Sequence, residues 1–153
     1  MEETKAESQP TSSGLGPAVY IAGRYARREE LREVAQELLD RGFEVTSRWL
    51  FQDASIPGGH LTPEGRAAEI AQMDFEDVRR AEVCIAFTEP SKGPQGRGGR
   101  HAELGIALAL GQRVLLVGPR EHVFHCLEHV EQYDEWLHAR RALEARMQVL
   151  SAA

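Results

Sequence analysis

The sequence lacks most of the features that mark secreted, membrane-spanning and nucleic-acid-binding proteins. Its 153 residues include only two cysteines, Cys84 and Cys126, which excludes a disulfide framework and is typical of a reducing compartment. No apolar run approaches the ~20 residues that span a bilayer, and the polar N-terminal residues contain no apolar signal-peptide core. The net charge of -6 argues against a basic face for nucleic acid polymers. We therefore expect a cytoplasmic protein with small-molecule partners and no membrane partner.

The composition is that of one ordinary globular domain. With 42% hydrophobic and 27% charged residues, a chain of this length can bury a core but has no room for a second domain. The stretch 1–17 is polar and contains several Glu, Ser and Pro residues, so we predict a disordered N-terminal tail there. A single domain is expected over residues 18–153.

Short apolar runs alternate with helical patterns along the chain. The predicted strands lie near residues 18–23, 43–47, 83–87, 114–117 and 130–133, the last being the weakest. Between these runs, apolar residues recur at helical spacing, and a terminal helix is predicted from about Glu135. This alternation predicts a single-domain α/β fold, in which helices cover both faces of a parallel sheet of four or five strands in a three-layer sandwich.

The most unusual stretch runs from Gly93 to Gly105, where a glycine-rich loop leads into an apolar helix that is predicted to begin near Glu103. Glycines let the backbone approach a ligand, and the amides at a helix N-terminus attract anions and keep a first-turn carboxylate ionised. An ionised Glu103 would suit a nucleophile, although acidic residues are also common in first turns for capping alone. Because the helix is apolar almost all round and Arg97 and Arg100 lie among the glycines, we favour a site for a phosphate or a polar sugar.

A second anomaly is Asp74, which lies on the apolar stripe of a predicted helix that starts at Thr62. The same stripe contains Ile70, Ala71 and Val78. A carboxylate on the buried face of a helix costs several kcal/mol unless it is paired or hydrogen-bonded. Asp74 is therefore either a buried cap or ion pair, or a carboxyl group with a raised pKa that can donate a proton.

Loops that follow parallel strands share one rim of the sheet, which is where ligands bind in open α/β folds. This rule brings Tyr20 and Trp49 towards the same pocket as Asp74 and Glu103. Tyr20 is the polar-tipped residue of the first strand, and a buried Tyr usually satisfies its hydroxyl on a nearby backbone group. Trp49 follows the second strand, and it either packs in the core or stacks on a flat ligand such as a nucleobase.

Several potential metal ligands lie close together near the C-terminus. His122, His125, Cys126 and His129 fall at helical spacings of three and four, which could in principle bind zinc. One continuous helix rarely supplies a whole metal site, and no supporting carboxylate pattern is evident. We therefore expect no metal and no cofactor.

Three segments taken together resemble the nucleoside 2-deoxyribosyltransferase family, including its nucleotide N-glycosidase relatives. They are Tyr20–Gly23, Asp74 ahead of Val78, and His101–Leu108, and the resemblance covers most of residues 18 to 118. It implies a flavodoxin-like, Rossmann-like fold and cleavage of an N-glycosidic bond through a covalent deoxyribosyl intermediate. By position, it implies that Glu103 is the nucleophile, that Tyr20 orients it, and that Asp74 contacts or protonates the departing base.

Three functions remain open at this stage. The first is transfer of a 2'-deoxyribosyl group between nucleobases, and the second is hydrolysis of a nucleoside 5'-monophosphate, which the basic loop favours. The third is a nucleotide-binding module without catalysis. We also predict a homo-oligomer. The residues predicted to contact the substrate are Gly23, Arg24, Trp49, Ser91, Arg97, Gly99 and Arg100.

Overall fold

The computed structural model describes residues 16–52, 65–93 and 98–152. The first strand, β1, spans Ala18–Ala22 and is followed by helix α1 (Arg28–Asp40) and the short strand β2 (Glu44–Val45). The remaining elements are α2 (Ala67–Arg80), β3 (Val83–Phe87), α3 (Gly99–Ala109), β4 (Arg113–Val117), β5 (Val130–Tyr133) and α4 (Trp136–Ser151). Short 3-10 helices lie at Tyr25–Arg27, Arg48–Leu50 and Val123–Cys126.

The five strands form one parallel sheet in the order β2-β1-β3-β4-β5. All residues of β1 and β3 are buried, which explains why their sequences are continuous apolar runs rather than alternating ones. The predicted α/β class and parallel sheet are confirmed. The second strand is shorter than the predicted 43–47, because the chain turns into a 3-10 helix at Arg48.

Helices cover both faces of the sheet. On one face, α1 and α4 are joined by Arg140, which donates to the Glu37 carboxylate at 2.8 Å, and α4 buries Ala139 and Leu143. On the other face, α2 packs against α3. The flavodoxin-like three-layer arrangement is thus confirmed. No helix within the described part of the chain is long and apolar enough to cross a membrane.

The buried faces of α2 and α3 differ from the predictions. In α2, Ala71 is exposed, and the fully buried positions are Asp77 and Val78. The buried face of α2 is therefore rotated about the helix axis relative to the predicted one. The predicted start at Thr62 lies outside the described residues. The prediction that α3 is buried almost all round was wrong, because Gly105 and Ala109 are exposed on its outer face.

The predicted tail boundary also needs a small correction. Residues 1–15 lie outside the described residues, whereas Gly16 donates its backbone N–H to the carbonyl of Gly42 at 3.0 Å. Gly42, at the end of α1, has a φ of 85°, which is the left-handed conformation expected of the predicted glycine cap. Gly16 and Pro17 therefore belong to the domain.

Strand order places a natural ligand position between β1 and β3. The chain moves outward from β1 to β2 and then returns to β3 on the other side, so the loops after β1 and β3 diverge at their carboxyl ends. Helix α3 follows the β3 loop and also contacts β1. The fold therefore brings side chains from β1, α2 and α3 to this position.

Candidate active site

Tyr20 on β1, Asp74 on α2 and Glu103 on α3 are close enough to affect one another electrostatically. The negative charges of Glu103 and Asp74 both raise the pKa of Tyr20, and the charge of Asp74 also raises the pKa of Glu103. The structure therefore brings the three predicted catalytic side chains together, although the first and the last of them are 83 positions apart in the sequence. Their grouping is the main feature of the site.

Glu103 does not have the environment that the sequence suggested. Helix α3 begins at Gly99, so Glu103 lies in its second turn rather than its first. Burial, together with the nearby charge of Asp74, raises the pKa of Glu103 to about 8, and the Tyr20 hydroxyl opposes this rise only in part. The helix start therefore lies four residues before Glu103, and burial favours the neutral carboxyl group of Glu103 over the predicted carboxylate.

Asp74 is partly buried, as the predicted stripe implied. Its Oδ1 atom is buried and has no hydrogen-bond partner among the described residues. Burial and the neighbouring charge of Asp77 raise the pKa of Asp74 to about 6, while the Arg48 guanidinium lowers it in part. Such a carboxyl group can exchange a proton near neutral pH, which suits general acid–base chemistry.

The Tyr20 hydroxyl is also buried without a partner of normal hydrogen-bond geometry in the described chain. The usual outcome for a core tyrosine, a hydroxyl satisfied by a nearby backbone group, is therefore not found. Burial, followed by the charges of Glu103 and Asp74, raises the pKa of Tyr20 well above its ordinary value, so the hydroxyl stays neutral. It lies close enough to Glu103 to favour that residue's carboxylate form.

The sequence did not reveal Asp77, which lies one helical turn after Asp74 and is fully buried. Its Oδ2 atom accepts the backbone N–H of Arg48 at 2.9 Å, and its Oδ1 atom accepts Nε of Arg48 at 2.8 Å. Arg80 adds a further donor at 3.1 Å. Asp77 thus fixes the turn after β2, and its charge raises the pKa of Asp74.

Arg100 was predicted to bind a phosphate, but it lies in a buried ion pair. Both of its terminal nitrogens contact the carboxylate of Glu121, one of them at 2.7 Å, and the two side chains are 5% and 7% exposed. The loop arginine Arg97 lies outside the described residues. Ser91 is exposed in the turn after β3, and Gly99 is exposed at the start of α3. Because the Arg100 guanidinium is already paired with Glu121, it is poorly placed to bind a phosphate directly.

The remaining predicted contact residues lie near the β1 and β2 loops. Trp49 is 5% exposed and donates its indole N–H to the carbonyl of Ile21 at 2.9 Å, as the core interpretation expected. Arg24 is partly exposed after β1. A Cβ at Gly23 would lie 2.5 Å from Cδ1 of Leu31, so this glycine allows α1 to pack closely against the sheet.

The four residues that could in principle have bound zinc do not form one helix. His122 precedes the short 3-10 helix Val123–Cys126, and Cys126 and His129 are both exposed. His122 and His125 instead approach His101 in the first part of α3. One nitrogen from each of these three histidines lies within 4.8 Å of the others.

Comparisons with known proteins identify the family. The family model for nucleoside 2-deoxyribosyltransferases matches residues 19–137. The chain belongs to this family. Its members are enzymes, so this chain is an enzyme of the nucleoside deoxyribosyltransferase or N-glycosidase type, and its substrates are small nucleosides or nucleotides. The family resemblance seen in the sequence is confirmed.

Two solved structures are similar to this family member at low sequence identity. The CMP N-glycosidase BcmB of Clostridium botulinum is 18% identical, with a TM-score of 0.51 over 84% of this chain and 98% of that chain. A 2-deoxyribosyltransferase from Leishmania mexicana is 20% identical, with a TM-score of 0.48 over 77% of this chain and 75% of that chain. No curated protein matches the sequence significantly.

Proposed function

We propose that this enzyme cleaves the N-glycosidic bond of a 2'-deoxynucleoside with Glu103 as nucleophile and transfers the deoxyribosyl group to another nucleobase. The observation that supports this most strongly is the grouping of Tyr20, Asp74 and Glu103. Among the residues that the structure describes, the Tyr20 hydroxyl and one oxygen of Asp74 are buried without a hydrogen-bond partner of normal geometry. A buried group that the fold leaves unsatisfied is costly, and such groups are typical of sites where a substrate supplies the missing partner. The family membership supports the same class of chemistry.

In the first step, a carboxylate oxygen of Glu103 bonds to C1' of the sugar while the bond from C1' to the base nitrogen breaks. The base leaves with the electron pair of that bond, and Asp74 donates a proton to it. In the second step, a nitrogen of the incoming base attacks C1', the Glu103 carboxylate is released, and Asp74 takes up the proton that the acceptor loses. Two displacements retain the configuration at C1'.

The two carboxyl groups hold about one proton between them near neutral pH, because their pKa values are about 8 for Glu103 and about 6 for Asp74. In the ligand-free enzyme this proton resides mostly on Glu103, whereas the reaction needs it on Asp74. Positive charge develops at C1' as the base leaves, and it favours an ionised Glu103 beside it. We infer that the bound substrate moves the proton to Asp74, and that the Tyr20 hydroxyl then supports the Glu103 carboxylate.

The second candidate function is hydrolysis of a nucleoside 5'-monophosphate. It is favoured by the start of α3, where the N-cap residue Gly98 has a φ of 89° and provides no side-chain cap, an arrangement that suits an anion. The pairing of Arg100 with Glu121 weakens it, because that guanidinium is already neutralised. A phosphate-binding role for Arg97 stays a prediction, as do the homo-oligomer and the cytoplasmic location.

The experiment that separates these functions incubates the enzyme with deoxynucleosides and with their 5'-monophosphates, each with and without a free acceptor base, and separates the products by chromatography. We expect a new nucleoside to form from the deoxynucleoside when the acceptor is present. Release of base from the monophosphate at equal rates with and without acceptor would instead support hydrolysis. Binding of any of these compounds without turnover would support the non-catalytic alternative.

A further inference from the structure

A cluster of three histidines takes no part in the chemistry proposed for the carboxylate site. His101 belongs to α3, while His122 and His125 come from the loop between β4 and β5. Nε2 of His122 is 3.1 Å from Nδ1 of His101, and His122 and His125 have ring centroids 3.7 Å apart. His125 is 1% exposed, and His101 and His122 are partly buried.

We propose that His101, His122 and His125 bind one divalent transition-metal ion, with zinc as the candidate. Imidazole nitrogen is a ligand that zinc, copper and nickel prefer, and three histidines with an open fourth position form a known type of zinc coordination. Two nitrogens on one tetrahedral zinc ion, each at about 2.0–2.1 Å from it, are about 3.4 Å apart. The observed 3.1 Å between the His101 and His122 nitrogens is close to that separation.

Nε2 of His122 and Nδ1 of His101 form a hydrogen bond, which an ion between them would replace. The other ring nitrogen of His122, Nδ1, is buried and has no hydrogen-bond partner among the described residues, so no hydrogen bond at that atom fixes the ring. Neutral imidazole is the form that binds a metal ion.

Metal binding requires one rearrangement of side chains. Nδ1 of His125 accepts the backbone N–H of Glu121 at 3.0 Å, and the His125 ring packs at a tilt of 39° against the His122 ring. The three nitrogens lie within 4.8 Å of one another and must come to about 3.4 Å to bind one ion, so the His125 ring has to shift within this contact. The change involves side-chain torsions and leaves α3 and the β4 strand in place.

The position of the cluster indicates a structural ion rather than a catalytic one. His101 and Glu103 are two residues apart on α3, so their side chains project about 200° apart around the helix axis. The ion would link the first part of α3 to the loop after β4, beside the ion pair of Arg100 and Glu121. Metal should therefore stabilise the fold, while the carboxylate site keeps its chemistry without it.

The test uses the full chain without an affinity tag, freed of metal by a chelator and titrated with Zn²⁺ and, separately, Co²⁺. We expect one ion per chain, a Kd of about 10 µM or tighter, and the visible absorption of tetrahedral Co²⁺. A saturating 100-fold excess of Zn²⁺ over the Kd should raise the Tm by at least about 5 °C.

His101→Gln and His122→Gln are the informative variants, because both residues are partly exposed and their loss should leave the fold intact. Each should weaken Zn²⁺ binding by at least tenfold and remove most of the Tm increase. His129→Gln and His138→Gln are matched controls at exposed positions outside the cluster, and they should bind as the wild type does. No binding by the wild type, or equal weakening by the controls, would overturn the proposal.

Discussion

Asp74 and Asp77 lie one turn apart on α2, yet their carboxylates are in opposite situations. Asp77 is fully buried, and its two oxygens accept hydrogen bonds from Arg48 and Arg80 at 2.8 to 3.1 Å. Asp74 is only partly buried, but one of its oxygens has no partner among the described residues, and its pKa is raised to about 6. The more deeply buried carboxylate is thus the one with more hydrogen bonds.

This difference shows that burial alone does not identify a reactive carboxylate. A buried charge with donors on both oxygens stabilises the fold, whereas a buried carboxyl group without a donor persists at a free-energy cost. The Tyr20 hydroxyl is likewise buried without a hydrogen-bond partner of normal geometry among the described residues. The carboxyl group of Glu103 is also buried, and only the Tyr20 hydroxyl offsets part of the resulting rise in its pKa. We therefore assign chemistry to the group of Tyr20, Asp74 and Glu103, and structure to the group of Asp77, Arg48 and Arg80.

The largest expected effect is that of Glu103→Gln, which removes the nucleophile. We expect kcat to fall by more than about 10⁴-fold, a loss typical of covalent nucleophiles. Stability should be unchanged or higher, because Gln resembles the neutral Glu103 that predominates in the ligand-free protein. Initial rates and thermal unfolding measure the two effects, with Glu69→Gln on the exposed face of α2 as control. Turnover near that of the wild type would remove Glu103 from the mechanism.

Asp74→Asn should reduce kcat by about 10² to 10⁴-fold, since it keeps the shape of the side chain but cannot donate a proton from a carboxyl group. The loss should be smallest for substrates whose bases leave readily without protonation. Rates measured with a series of leaving bases of different pKa would show this as a steeper dependence on the leaving group. An equal loss for every base would mean that Asp74 positions the base and does not protonate it.

The pH profile should report the proton that Asp74 and Glu103 share. With pKa values of about 6 and about 8, the singly protonated pair predominates between these limits. The kcat/KM of the wild type should rise as pH increases through about 6, because the doubly protonated pair loses a proton, and fall through about 8, because the last proton is lost. Asp74→Asn should lose the alkaline fall. An alkaline fall that persists in this variant would assign it to another group.

Asp77→Asn should affect stability more than chemistry. It removes charge-assisted hydrogen bonds at a buried position, and we expect the free energy of unfolding to decrease by about 3 kcal/mol. Glu76→Gln is the matched control, because Glu76 pairs with the same Arg48 at 3.4 Å but is exposed, so its removal should change stability far less than Asp77→Asn does. Denaturant unfolding measures both. Full stability combined with lost activity in Asp77→Asn would reverse our assignment of the two aspartates.

The smallest effect is expected for Tyr20→Phe. Removing a buried hydroxyl that has no hydrogen-bond partner of normal geometry within the described part of the chain should leave the Tm unchanged or slightly higher. Loss of its support for the Glu103 carboxylate should reduce kcat by about tenfold, or 1.4 kcal/mol in the barrier. Tyr25→Phe, at a position that is 42% exposed, is the control and should change neither quantity. A lower Tm in Tyr20→Phe with normal kcat would mean that the hydroxyl has a purely structural role.

The sequence was sufficient to predict what depends on local pattern. Strand β3 was predicted at its observed position, because an uninterrupted apolar run is distinctive in a parallel sheet. The weakest predicted strand, at 130–133, also matches β5, although its sequence is mostly polar. Tyr20, Asp74 and Glu103 could be proposed because each is a polar residue in an apolar setting, and the family resemblance indicated their roles. These inferences needed no knowledge of distant contacts.

The sequence was not sufficient for features that depend on distant partners. Asp74 and Asp77 are only about 60° apart around the helix, so periodicity cannot decide which one reaches Arg48, 29 residues away. Likewise, the pairing of Arg100 with Glu121 and the approach of His101 to His122 each join residues 21 positions apart. The raised pKa of Glu103 followed from burial by neighbouring elements, which no local motif reveals.

The central claim is that Glu103 forms a covalent bond to the sugar, and the mass of the intact protein tests it most directly. The enzyme is mixed with a deoxynucleoside in the absence of an acceptor base, quenched rapidly in acid, and measured by mass spectrometry. We predict that the wild type gains the mass of one deoxyribosyl group, that peptide mapping places it on Glu103, and that Glu103→Gln gains nothing. An adduct on another residue, or no adduct during demonstrated turnover, would contradict the claim.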